Sequence, residues 1–124
     1  MRSMSIPGTK NSLNIELNGE TGVMELKGSS YPDNTIEFFD PIYTWLKEYI
    51  FKVRGPVELN LNLQYIDTSS TKCIFDLLEI LETYHKKDGK ILVSWFYEKN
   101  DEDMKETGEE FAEDIEIPFK FISY

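Results

Sequence analysis

A chain of 124 residues with 40% hydrophobic content, including eight Phe, seven Tyr and two Trp, is sized for one domain around one aromatic-rich core. Its net charge of −10 is uneven: nine acids and the single base Lys105 lie between Asp101 and Glu116. Such a surface argues against nucleic acid or anionic membrane as partners, since both need cationic patches. It suits a basic protein partner, or serves only as a solvated face.

Met1 to Ser12 has neither the apolar centre of a secretory signal nor a clear period, so residues 1–12 are expected as a flexible tail before a single domain at 13–124. Leu13, Ile15 and Leu17 alternate with polar residues. After the turn 18–22, Val23, Glu25 and Lys27 alternate with Met24 and Leu26, which together predict a β-hairpin. Residues 28–34 read as a loop. Phe39, Ile42, Tyr43, Leu46 and Ile50 then recur at helical spacing. Pro41 lies inside that run and either kinks the helix or restarts it with Asp40 as cap; one kinked helix is the expectation.

Gly55-Pro56 ends the helix. A strand follows from Val57 to Tyr65, with Val57, Leu59, Leu61, Leu63 and Tyr65 on one face. Beyond the Asp67–Ser70 turn, Ile74, Leu77, Leu78, Leu81 and Tyr84 mark a second helix ending at Lys86-Lys87-Asp88-Gly89. Ile91–Tyr97 is a largely apolar strand. Residues 101–114 make a short acidic surface helix that Gly108 weakens, and a last strand spans Pro118–Tyr124. The order β-β-α-β-α-β-α-β predicts an α/β fold with a mixed sheet: an opening antiparallel hairpin, then parallel strands joined by crossover helices.

Catalytic sets are sparse. The lone His85 sits where a helix dipole is capped, and one cysteine with one histidine makes a zinc site a poor expectation. The acids at Asp101 and Asp103 fail the EF-hand pattern, because glycine comes at the eighth position and lysine at the fifth. Cys73 lies where a dipole can activate a thiol, although burial as a small apolar residue is the simpler reading. The single cysteine excludes an internal disulfide and fits a reducing cytoplasm, and no apolar run approaches the ~20 residues of a membrane span. No catalytic residue, metal ligand or cofactor is assigned.

The exception is Asp67-Thr68-Ser69-Ser70-Thr71-Lys72, four consecutive hydroxyls between an acid and a base at a strand-to-helix turn. One of Asp67, Thr68 or Ser69 suffices to cap the helix. A phosphate there would meet free backbone N–H groups and the positive end of the dipole. The residues alone leave cap and switch open. A nucleophilic Thr68 with Asp67 as base is a third reading, weakened because adjacent side chains rarely face one another.

This turn resembles the phosphorylatable turn of STAS-like anti-sigma-factor antagonists. More closely, three segments are similar to the SiaC family of bacterial regulatory phosphoproteins: residues 28–34 (GSSYPDN), residues 65–73 (YIDTSSTKC), and the acidic pieces 102–104 and 108–114. The likeness runs from about Leu13 to Ile122. It implies a STAS-like domain with Thr68 as phospho-acceptor, and a binding surface of Asp67, Ser69, Ser70, Thr71 and Lys72 around it. It implies a non-enzymatic protein switched by a serine/threonine protein kinase and a PP2C-type phosphatase. The unphosphorylated form would activate a diguanylate cyclase, and so control cyclic di-GMP and biofilm behaviour. STAS proteins often carry Gly soon after the acceptor, where Ser70 and Thr71 stand here. The alternative is an anti-sigma-factor antagonist or constitutive scaffold with Thr68 as a helix cap only.

Overall fold

The computed structural model describes residues 1–124 and places six strands in one sheet, side by side in chain order. Strands β1 (Met4–Ile6), β2 (Asn14–Leu17) and β3 (Val23–Ser30) are antiparallel. From β3 onward the sheet is parallel, through β4 (Val57–Ile66), β5 (Ile91–Tyr97) and β6 (Phe119–Ser123). The crossovers are α1 (Thr35–Lys52), α2 (Thr68–Lys86) and α3 (Glu102–Asp114). The expected α/β class and mixed sheet are therefore present, with one strand more than the periodicity indicates.

That strand is β1, inside the segment expected as a flexible tail. Three residues are too few to show a period, and its anchors come from distant parts of the chain. The Trp45 indole N–H donates to the Arg2 carbonyl at 3.0 Å, and the Gly19 N–H donates to Ser3 Oγ at 2.9 Å.

Paired residues across the sheet share a face, and Leu17, Met24, Leu59 and Val93 form one buried row. Ile15, Leu26, Leu61 and Trp95 form the next. All three helices cover this face, because sequential parallel strands joined by right-handed crossovers place them on the same side. Glu25, Asn60 and Lys120 mark the opposite, largely uncovered face.

α1 is continuous through Pro41 and starts at the cap Asn34, whose side chain accepts from the Glu37 N–H; Asp40 caps nothing. Gly108 has a different role from the one expected of it. It is buried against Trp95, and a Cβ there would lie 2.5 Å from the indole nitrogen. The glycine lets α3 approach β5, where Trp95 Nε1 donates to the Met104 carbonyl at 3.1 Å and its ring contacts Phe111.

Candidate functional site

The parallel strands end on one edge, and α1, α2 and α3 begin there. β3 reaches this edge because it runs through the expected loop to Ser30, with an irregularity in register between Gly28 and Ser29. Gly28 adopts φ +117°, a backbone conformation open to glycine and strained for other residues. The shift leaves Gln64 without a ladder partner and breaks the alternation of β4 after Leu63. Tyr65, expected on the buried face, is instead 54% exposed and packs edge-on against Tyr31 with centroids 5.7 Å apart.

The four hydroxyls divide their tasks at the tip of α2. Asp67 is the cap and accepts the Ser70 N–H at 2.8 Å, while its own N–H donates to the Ser30 carbonyl at 3.1 Å. Ser70 is fully buried. Its hydroxyl donates to the Ser30 carbonyl at 2.9 Å and lies 2.7 Å from Ser30 Oγ, tying α2 to β3. The Thr71 hydroxyl donates back to the Asp67 carbonyl at 2.9 Å. Thr68 and Ser69 are exposed, and neither hydroxyl has a partner within the chain.

Two expectations change. Thr68 occupies the first helical position and is not the cap, so a Thr68 that serves only as a cap is excluded. Ser70, expected on the binding surface, is a buried tie between elements and cannot meet a partner directly. The Asp67 carboxylate is held by the Ser70 N–H, so it is not poised as a base for Thr68. His85 lies far along α2 in its last turn, where Nδ1 is 3.0 Å from the Gly89 carbonyl, and Cys73 is buried in the core.

Thr68 opens into a groove of about 440 Å³ between α2 and α3. Thr68, Lys72 and Phe75 form one wall; Thr107, Glu110 and Asp114 stand across from them. The acidic helix thus reaches the hydroxyl turn, a meeting that neither segment discloses alone. Lys72 is exposed and pairs with Asp76 at 2.6 Å, which raises its pKa and keeps it cationic one helical turn from Thr68. The N–H groups of Thr68 and Ser69 have no acceptor in the chain, the first intrahelical bond being Thr71 N–H to Asp67. Free donors, the dipole and Lys72 together make the tip receptive to an added phosphate. Sequence reasoning missed Asp76, Tyr31 and Tyr65 as parts of this region; the Lys72/Asp76 spacing of four was the available signal.

Fold and tip together define a mixed-sheet α/β domain that offers an accessible hydroxyl at a helix start. The chain belongs to the SiaC family of regulatory phosphoproteins, whose family model matches residues 6–124. An uncharacterised protein of Pseudomonas aeruginosa strain UCBPP-PA14 is 34% identical over 119 residues, covering 96% of this chain and 94% of the relative. Among solved structures, apo-SiaC from Pseudomonas aeruginosa is similar with a TM-score of 0.92 at 33% identity, over 98% of this chain and 99% of that one. SiaC captured as the activator of the diguanylate cyclase SiaD, also from Pseudomonas aeruginosa, is similar with a TM-score of 0.94 at 33% identity and the same coverage. No helix here is long and apolar enough to cross a membrane.

Proposed function

We propose that this chain is a non-enzymatic, cytoplasmic signalling protein switched by reversible phosphorylation of Thr68. A serine/threonine protein kinase adds the phosphate and a PP2C-type phosphatase removes it. The unphosphorylated form binds and activates a diguanylate cyclase, and through cyclic di-GMP controls biofilm-type behaviour. The observation that carries this reading is the division of the hydroxyls: of four, only Thr68 is exposed, without an internal partner, and open to the α2–α3 groove. Family membership and the SiaC–SiaD complex support it. Asp67 and Thr71 hold the turn, Lys72 steadies the phosphate, and Ser69 lies on the contact surface.

The test pairs two assays on the full chain and its Thr68→Ala variant. Cognate kinase should place one phosphate on Thr68 and none on the variant. Unmodified chain should raise cyclic di-GMP synthesis by the cognate cyclase, and the phosphorylated chain should not. A variant phosphorylated at the normal rate would remove Thr68 as acceptor; equal activation by both forms would remove the switch.

A further inference from the structure

The pole opposite Thr68 carries a second surface. As crossovers between successive parallel strands, α1 and α2 run parallel and end together. Tyr84 lies sixteen residues along α2 from Thr68, a separation of about 24 Å at the helical rise. Here Phe51 is 74% exposed, with Ile50, Ile80 and Tyr84 half-buried around it. Two shallow depressions of about 370 and 330 Å³ share Ile50, Phe51, Tyr84 and Lys87, forming one continuous apolar strip.

The strip is rimmed by cations in a protein of net charge −10. Lys47, Arg54 and Lys87 line it, and none forms an ion pair within the chain; the ion-paired lysines are Lys52, Lys72 and Lys86. Asp88 is the one acid of the lining. Helix dipoles account for cations in the final turns. They account for neither Lys47, more than a turn earlier, nor a phenylalanine left in water beside it.

We propose that this strip is a docking surface for an acidic amphipathic helix of another protein, available whatever the state of Thr68. Its apolar ridge would cover Phe51, Ile80 and Tyr84, and its carboxylates would meet Lys47, Arg54 and Lys87. A second copy of this chain fits poorly. Its acid-rich element, α3, turns Met104, Gly108 and Phe111 inward and has no apolar ridge to offer. An anionic bilayer fits poorly too, because the rest of the surface is strongly negative.

The probe is a synthetic helix about 14 residues long, with Leu at i, i+3, i+4 and i+7 spacing and Glu elsewhere. It is titrated into isotopically labelled full chain and followed by amide chemical shifts. Shifts should centre on Phe51, Tyr84 and Lys87. Affinity should fall roughly tenfold in Phe51→Asp and in Lys47→Glu/Lys87→Glu, both exposed sites that leave the fold intact, and should fall with salt. Thr68→Asp should leave it unchanged. The proposal is overturned by any of four results: no localised shifts, equal binding of a Lys-for-Glu or scrambled peptide, the same shifts on raising protein concentration alone, or binding of anionic vesicles in place of the peptide.

Discussion

Alanine at Thr68 and at Ser70 removes the same hydroxyl chemistry from positions two residues apart, and the structure assigns the two changes opposite consequences. Thr68 is exposed, has no internal hydrogen bond and is not the cap, so Thr68→Ala should alter stability by no more than about 0.5 kcal/mol. Ser70 is fully buried, and its loss strips Ser30 Oγ of its 2.7 Å partner. The Ser30 carbonyl keeps the Asp67 N–H as a donor at 3.1 Å, which limits the damage to one orphaned buried group, about 1–3 kcal/mol. Asp67→Ala removes the cap and should cost about 1 kcal/mol. Urea unfolding followed by emission of the buried Trp45 and Trp95 measures all three. At a slope of roughly 1–3 kcal/mol per molar, Ser70→Ala moves the midpoint by about 1 M and Thr68→Ala barely moves it. A Thr68→Ala midpoint that falls as far as that of Ser70→Ala would refute the assignment of Thr68 as a hydroxyl with no structural bond.

Gly108→Ala should destabilise by about 1–3 kcal/mol despite alanine's better helix propensity, because the new Cβ meets a buried indole fixed by its bond to Met104; unchanged stability and Trp emission would contradict this packing. Burial raises the pKa of Tyr43, with the neighbouring Cys73 adding to it, and burial raises Tyr49 and Tyr84 as well from an ordinary 10.0. Folding therefore favours the neutral phenols: their contribution is complete below pH 10 and is lost as pH climbs through the raised values. Urea midpoints should hold between neutral pH and 9 and fall beyond 10, the fall lessening in Tyr43→Phe; a fall that the variant does not lessen would contradict the role given to Tyr43. In the phosphorylated chain, ³¹P titration should place the second phosphate pKa below its usual value of about 6, and Lys72→Ala should bring it back upward; an unperturbed value in both proteins would show that the α2 tip does not hold the phosphate.

Every strand and helix except β1 was legible in the residue pattern, and the α/β class and mixed sheet followed from them. Met4–Ile6 was not: a three-residue strand has no period, and its placement depends on Trp45 forty residues away. The Gly28 irregularity was equally silent, because glycine at a strand end reads as the start of a loop; as a result Tyr65 looked buried and is exposed. At the site, the hydroxyl run and its place on a helix start were readable. Which hydroxyls are free was not: Ser70 is withdrawn by Ser30 arriving opposite it from another strand, and Thr68 is set apart from Ser69 only by lining the groove with α3. Gly108 looked like a weak point in α3 because propensity concerns a helix in isolation, whereas its use lies in the contact with Trp95.

The groove's charges constrain how phosphate at Thr68 can release a partner. Glu110 and Asp114 face a single cation, Lys72, which is already engaged by Asp76. A cationic partner segment seated here would bind more tightly once Thr68 carried a further charge of about −1.5 to −2. A partner released by phosphorylation therefore does not set cations at the tip of α2: an anionic contact would be repelled, and an apolar one would have to bury the phosphate away from water. Phe75 within the groove, and the exposed Tyr31–Tyr65 pair on the same edge, supply that kind of contact. Under the proposed switch, a chain that engages its partner only when unmodified would read the absence of charge at Thr68 through these aromatic neighbours.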